Sequence, residues 1–300
     1  AGKDCPLAGG GKGKGCKVKY GFFPGCAYHA AAGYSESTAA VCRTLGIELA
    51  EIPEWNCCGA TTYLGIDDFQ ALALAGRIFA LAQTLELKQI VTVCNACYTT
   101  LRKANQMLAG DPEKLARINR LLSPEGIRIE GSLRIRHLLD VLVNDVPKDA
   151  WSRNQPAILT GLKVAGYYGC QLTRPPSDLD RPENPEILEK FIETLGFVAI
   201  EHSAKTRCCG AAHAVPYAGD CRVLIARIIR EVRTKGADLV ISICPMCQFN
   251  LDAGQQGLGL APVPVPFFTQ LAGMALGLKP GDLGLKKLLV PLKGTNLNIS

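Results

Sequence analysis

The sequence predicts an α/β protein made of two tandem homologous α/β domains with parallel sheets, and three observations carry that reading. First, one cysteine pattern occurs twice. It runs Cys26, the pair Cys57-Cys58 followed by Gly59, and a C-x-x-C at Cys94 and Cys97; then Cys170, Cys208-Cys209 followed by Gly210, and Cys244 and Cys247. Corresponding cysteines lie 144, 151 and 150 positions apart. Second, short apolar runs of strand character alternate with segments of helical periodicity in each half, the order expected of a parallel sheet. Third, 300 residues suffice for two domains of ordinary size.

Composition narrows the function classes. The chain is 48% apolar and 20% charged, as soluble globular proteins are. The net charge of +6 is a mild excess, drawn partly from Lys3, Lys12, Lys14, Lys17 and Lys19. No basic helix or interleaved aromatic pattern accompanies it, so no nucleic-acid surface is expected. No run reaches eighteen apolar residues, so no transmembrane segment is expected. The opening Ala-Gly-Lys-Asp-Cys-Pro has no apolar signal region, and a cytoplasmic location is expected. Thiols stay reduced there, so fourteen cysteines read as metal or redox ligands rather than a disulfide framework.

Residues 1–17 read as a flexible basic arm, with Cys5 and Cys16 unliganded. Residues 18–146 form the first domain. Its strands are expected at 18–23, ending in Pro24-Gly25-Cys26, at 47–52, and at 89–93, meeting Cys94-Asn95-Ala96-Cys97. Helices are expected at 27–45, 67–85, 111–122 and 133–143; the second is apolar almost all round and therefore buried on more than one side. Residues 147–160 read as a linker. The second domain, 161–280, repeats the order: strands at 163–168, 198–201 and 239–243, helices at 186–195 and 222–233, and a segment at 266–276 in the place of 133–143. A polar, Pro-rich loop is expected at 175–185, and 281–300 reads as a loosely packed tail.

Ligands of open parallel sheets sit beyond the strand carboxyl ends. In each half the first cysteine and the C-x-x-C fall at or just after such an end. The spacing therefore puts five thiols on one rim of each domain, with two rims able to face each other across a cleft. Five thiolates exceed the four that a cubane cluster or a structural zinc uses. An adjacent Cys-Cys pair in a loop can reach one polynuclear centre, and the following glycine lets the backbone come close or take positive φ. A dithiol redox motif and zinc binding remain alternatives for a C-x-x-C alone. Cys42, which has no counterpart, reads as core, and Cys221 as structural.

These residues resemble a known signature. Two complete copies of the pattern look like the cysteine-rich CCG domain, and Lys-Tyr-Gly-Phe-Phe-Pro-Gly-Cys resembles the start of the B-type chain of heterodisulfide reductase; the resemblance covers about residues 18–280. It implies two non-cubane 4Fe-4S clusters, in each of which a cysteine thiolate bridges irons. Cys26, Cys57, Cys58, Cys94 and Cys97 would hold one, and Cys170, Cys208, Cys209, Cys244 and Cys247 the other. It also implies a catalytic subunit that cleaves or forms a disulfide between the clusters, each taking one sulfur, with two electrons from a partner. That partner is a ferredoxin-like iron–sulfur subunit of the C type, fed in turn by a flavin subunit of the A type. The sequence adds that no ferredoxin cysteine run and no G-x-G-x-x-G after a strand is present, so electrons must arrive from another polypeptide.

His213, which follows Cys-Cys-Gly-Ala-Ala, is the expected proton donor to a leaving thiolate. Tyr28, His29 and Arg174 are lesser candidates near the first cysteine of each half, and His137 and His202 read as incidental. The alternative function is an electron-transfer subunit of a lactate-, glycolate- or succinate-type oxidoreductase that passes electrons to quinone. A non-catalytic metal-stabilised scaffold is a third reading, against which two five-thiol sets weigh because four ligands suffice for structure.

Overall fold

Among the described residues, seven parallel strands divide into two sheets, one in each half of the chain. The computed structural model describes residues 18–60, 63–151, 159, 161–172 and 179–292. The basic arm, Cys5, Cys16 and Arg174 lie outside the described residues, as do most of the expected linker and part of the Pro-rich loop.

In the first half β1 (Val18–Phe23), β2 (Ile47–Glu51), β3 (Gln89–Thr92) and β4 (Arg134–His137) form one sheet in the order β2-β1-β3-β4, all pairs parallel. In the second half β5 (Lys163–Tyr167), β6 (Val198–Ile200) and β7 (Leu239–Ser242) pair in the order β6-β5-β7, also parallel. The place of β4 is taken by residues 264–267, where Ser242 bridges Phe267 and the carbonyls of Pro264 and Pro266 accept from Val240 and Ser242. Pro262, Pro264 and Pro266 have no N–H to give, which reduces a fourth strand to a bridge.

Helices cover the sheets. The first half has α1 (Tyr34–Thr44), the short α2 (Tyr63–Ile66), α3 (Asp68–Thr84), α4 (Asn95–Gly110), α5 (Pro112–Leu122) and α6 (Leu138–Asn144). The second has α7 (Ile187–Thr194), α8 (Ala218–Thr234), α9 (Pro245–Ala253) and α10 (Phe268–Ala275). Helix α3 buries Leu72, Ile78, Phe79 and Leu81 together with Ala71, Ala75 and Ala82, as its all-round apolar sequence predicts. Asp67 and Asp111 cap α3 and α5, each accepting a backbone N–H at 3.0 Å.

Three expectations are corrected. Residues 133–143 are not one helix: β4 comes first, because Ile135 and His137 turn inward while buried Arg136 pairs with Asp140 and Asp145. Only 34–44 of 27–45 is helical. Residues 27–33 are turns, and tertiary contact overrides the helix propensity of their alanines. Gly33 there lies against Gly284, where any side chain would collide. The tail is not loose as far as it is described: Leu283, Leu285, Leu288, Val290 and Leu292 are buried. Asp252 of α9 accepts the Leu289 and Val290 N–H groups, both at 2.9 Å.

The halves share one core. Tyr34 of α1 stacks on Phe267 at 3.8 Å between ring centroids and 5° between planes. Ser37 and Thr269 share a hydrogen bond of 2.7 Å, and Tyr34 donates to the Val93 carbonyl at 2.6 Å. Phe267→Ala is expected to cost about 3–5 kcal/mol, read as a lowered denaturant midpoint with the unfolding of both halves still coupled.

His137 is fully buried at the start of α6, where Nδ1 accepts the Leu139 N–H. Burial holds its pKa down to about 4, against 6.5 for the free side chain. Above the unfolded value both states are neutral. As pH falls from there towards about 4, only the unfolded chain takes up the proton, so stability declines by up to about 3 kcal/mol. His137→Gln should remove that part of the decline between pH 7 and 4; an unchanged pH slope in denaturant titrations would refute it.

Candidate functional site

The site forms where the carboxyl ends of the two sheets meet. β3 and β7 each deliver a cysteine to the N-cap of the next helix: Cys94 for α4 and Cys244 for α9, both in extended backbone. Each helix then presents a second thiol one turn along, at Cys97 and Cys247. Helix N-termini offer free N–H groups and a positive dipole end, which favour a thiolate.

The thiols form a continuous line. Cys58 and Cys97 lie 3.4 Å apart Sγ to Sγ. Beyond them the thiols lie near enough to perturb one another's ionisation: Cys97 and Cys94, Cys94 and Cys244 across the seam, Cys244 and Cys247, and Cys247 and Cys209. Cys57 extends the line at one end by bonding Cys58. The six inner thiols are buried, at 2–8% exposure. Cys26, Cys57 and Cys208 are exposed and Cys170 is half-buried. Gly25 and Gly169, which precede Cys26 and Cys170, bring the chain close to the C-x-x-C of each half. A Cβ on Gly25 would stand 2.8 Å from Cys97 Sγ, and one on Gly169 would stand 3.0 Å from Cys247 Sγ. Both take positive φ, so only glycine lets the chain pass that close.

The thiols divide by ionisation: Cys58, Cys94 and Cys209 are lowered, and Cys97, Cys244 and Cys247 are raised. Hydrogen bonds from Cys57 and then Cys97 lower the Cys58 pKa to about 4. The Cys94 thiol is held well below its ordinary value by Cys244, then Cys97, and by the Ala96 and Cys97 N–H groups. Cys209 falls to about 6 through Cys247, with help from the Ala211 N–H, Asn250 and Tyr167. Cys97 goes the other way, raised by its neighbours Cys58 and Cys94 and by burial, as does Cys247, raised by Cys209, Cys244 and burial. Cys244 is raised too, by its bond to Cys94 and by burial, which outweigh the contribution of Cys247.

Such a donor set fits a polynuclear metal centre in each half. Among the described residues no group of three or more Cys, His, Asp or Glu side chains is arranged to hold a metal ion, so it is the chemistry of the thiols that carries the fit. The thiols are strung out instead, soft ligands of the kind iron–sulfur clusters use.

The remaining candidates fall as follows. His213 is exposed in a 3-10 turn (Ala211–His213) just past Gly210, its ring edge-on to Tyr217 at 5.9 Å. Tyr28 is buried and His29 exposed, in edge contact at 4.9 Å. Cys42 is buried in the first half's core, away from the line. Cys221 is buried behind the second Cys-Cys-Gly loop, its Sγ donating to the Gly210 carbonyl at 3.2 Å. His202 is buried and bonded to the Gly166 carbonyl at 2.9 Å. Sequence reasoning missed three residues that hold the site. Asn95 donates across the seam to the Tyr168 carbonyl at 2.6 Å, Thr99 to the Gln171 carbonyl at 3.0 Å, and Asn250 to the Cys209 carbonyl at 2.7 Å. Asn95 was legible, since it is a polar residue inside a buried C-x-x-C. Asn95→Ala should cost about 1–3 kcal/mol, because it strands a buried carbonyl; a denaturant midpoint within error of the parent would contradict the seam contact.

Comparison with known proteins agrees with this arrangement. The family model described as "CCG: Cysteine-rich domain" matches residues 20–102 and 164–252. The chain is 31% identical over 265 residues to the B-type chain of the ferredoxin:CoB-CoM heterodisulfide reductase of Methanosarcina mazei, covering 85% of this chain and 88% of that one. It is 32% identical over 275 residues to the 8-methylmenaquinol:fumarate reductase membrane anchor subunit of Wolinella succinogenes, covering 89% and 95%. A crystal structure of a hypothetical protein from Helicobacter pylori shares the fold, with a TM-score of 0.74 at 16% identity over 92% of this chain. The chain spans about half of that structure, 53% of its length. No helix among the described residues is long and apolar enough to cross a membrane.

Proposed function

Since this chain belongs to the family of the cysteine-rich CCG domain, we propose that it is the disulfide-active iron–sulfur subunit of a heterodisulfide reductase-like complex. The observation that supports the reading is the gathering of buried thiols at the seam between the halves, with Cys58 and Cys97 3.4 Å apart on one side and Cys247 packed against Gly169, beside the Asn95–Tyr168 bond, on the other. Cys26, Cys57, Cys58, Cys94 and Cys97 would hold one non-cubane 4Fe-4S cluster, and Cys170, Cys208, Cys209, Cys244 and Cys247 the other. When bound, the pair supplies two electrons and iron sites for the two sulfurs of a disulfide. The α4 and α9 N-termini stabilise thiolate charge, and the buried inner thiols keep water from the line. His213, exposed beside the second Cys-Cys-Gly, is the proposed proton source for the leaving thiolate. A ferredoxin-like subunit, fed by a flavin subunit, is the proposed electron donor, and the cytoplasm the proposed location.

The Wolinella relative favours a second reading, in which the chain passes electrons towards quinone as part of a membrane-attached oxidoreductase. Disulfide reduction by the anaerobically purified chain with an artificial donor distinguishes the two.

Iron and acid-labile sulfide per chain test the cofactor assignment directly, with about eight of each expected for two four-iron clusters. One or two zincs without sulfide would overturn it. Cys58→Ser and Cys209→Ser should each lose about half the iron and all two-electron disulfide turnover, the clusters having thiolate ligands. Cys42→Ser should keep both.

A further inference from the structure

The two cysteine sets are mounted differently. In the second half the end of β5 is sewn to the turn that leads into Cys208-Cys209. Lys205, three residues before Cys208, accepts the Tyr168 and Gly169 N–H groups on its carbonyl at 2.9 and 3.2 Å. The Tyr167 hydroxyl donates to the Arg207 carbonyl at 2.6 Å. These three bonds join the segment that carries Cys170 to the segment that carries Cys208. In the first half Phe23, Pro24 and Glu54 stand where Tyr167, Tyr168 and Lys205 do. Phe23 has no hydroxyl and Pro24 no N–H, so two of the three bonds cannot form. The Glu54 carbonyl accepts instead from Arg77 of α3, at 2.6 Å.

The Lys205 side chain is fixed as well as its carbonyl. It is buried, at 4% exposure. Its ammonium donates to both Glu201 carboxylate oxygens at 2.9 and 3.0 Å and stands 3.5 Å from Glu189 Oε1. The Tyr168 ring faces it, with 5.9 Å from Nζ to the ring centroid. Glu189 is itself buried and accepts the Tyr168 hydroxyl, which in turn accepts the Leu188 N–H at 2.7 Å. Tyr168 is therefore held at both its backbone and its hydroxyl, and both holds lead back to Lys205. Burying an ammonium is costly, and ion pairs inside a protein do little more than offset that cost. What this pair contributes is position.

We propose that Lys205 is a positioning residue for the second cysteine set. Its ammonium, fixed between Glu189 and Glu201, sets the place of its own carbonyl, and that carbonyl holds together the segments carrying Cys170 and Cys208. The second set then stands assembled before its cluster arrives. The first set lacks the clamp and closes on its cluster as it binds. Exposure agrees with this, since Cys26 is exposed where Cys170 is half-buried. Ligands held in place in advance lose less freedom on binding. A consequence is that the two clusters are held unequally, the second half's being the slower to leave. The inference rests on the cluster reading proposed above.

The test uses the full, anaerobically purified chain. Iron release to a ferrous chelator, bathophenanthroline disulfonate, is followed with time, and two phases of about four irons each are expected. Cys58→Ser should keep the slow phase and Cys209→Ser the fast one, which assigns the slow phase to the second half. Lys205→Met should quicken the slow phase at least about tenfold and leave the fast one within about twofold, because it breaks a buried ion pair that serves one set only. That variant leaves Glu189 buried without its partner, so Lys205→Met combined with Glu189→Gln is measured beside it and should behave alike. Tyr167→Phe, which copies Phe23 and removes a single hydrogen bond, should quicken the slow phase about threefold. Amide hydrogen exchange reads position without the metal. In Lys205→Met, Tyr168 and Gly169 should exchange at least about tenfold faster, with residues 18–26 unchanged. A single phase in the parent, equal quickening of both phases, or unchanged exchange at Tyr168 and Gly169 overturns the proposal; equal quickening is what a mere loss of overall stability gives. Faster exchange confined to the second half, in a chain that holds no iron, supports the clamp and sinks the cluster reading. Eight irons released with exchange unchanged does the reverse (about four per cluster).

Discussion

Two helix N-termini brought close together should repel, and the fold is organised around what prevents it. α4 and α9 converge where their sheets meet, with Cys94 and Cys244 as their N-caps. Each end carries about half a positive charge. The Cys94 thiol, held below its ordinary value by Cys244 and by the Ala96 and Cys97 N–H groups, favours negative charge there, which offsets the dipole ends. Remove that sulfur pair and the two dipole ends meet across a dry seam, a costly arrangement in low dielectric. The seam therefore needs sulfur for structure as well as chemistry.

Apolar packing then fixes the geometry that sulfur requires. α1 belongs to the first half by sequence, yet it packs against α10 of the second, beside the Tyr34–Phe267 stack. The tail from 283 to 292 crosses back over α9 and reaches Glu36 through Lys287. These contacts hold the two rims in register, so that the buried thiols of the two halves gather at one seam. Interiors are close-packed and yield little, so small displacements there are resisted. A rigid mount suits a centre in which two sulfurs of one substrate would have to meet two sites together.

Much of this was legible. Parallel strands buried on both faces leave near-continuous apolar runs, and residues 89–93 and 239–243 carry that mark plainly. The doubled cysteine pattern then located the rim, because each C-x-x-C follows such a run. What escaped was decided by tertiary contact. The alanines at 27–32 favour a helix in isolation, but the close approach of Gly33 to Gly284, far along the chain, denies it. The strand at 134–137 was hidden because its buried arginine looks like a surface residue until Asp140 and Asp145 are seen around it. The tail's leucines alternate with glycine and lysine, and nothing local says that a groove between two halves is waiting for them.

The burial of the thiols also bears on what must occupy the site. Six thiols are buried at 2–8% exposure, with Cys58 and Cys97 only 3.4 Å apart. They cannot all ionise, since like charges in a low-dielectric interior push one another back to the neutral form. The split into three lowered thiols, Cys58, Cys94 and Cys209, and three raised ones, Cys97, Cys244 and Cys247, is the compromise that protons alone permit. It leaves polarizable sulfur packed against sulfur with little to gain from the contact. A soft multivalent centre in each half, as proposed, would resolve the conflict, because it would let every thiolate keep its charge and replace the shared protons with bonds. Duplication would then have done more than double the ligand count. It would have placed two such centres on opposite sides of one seam.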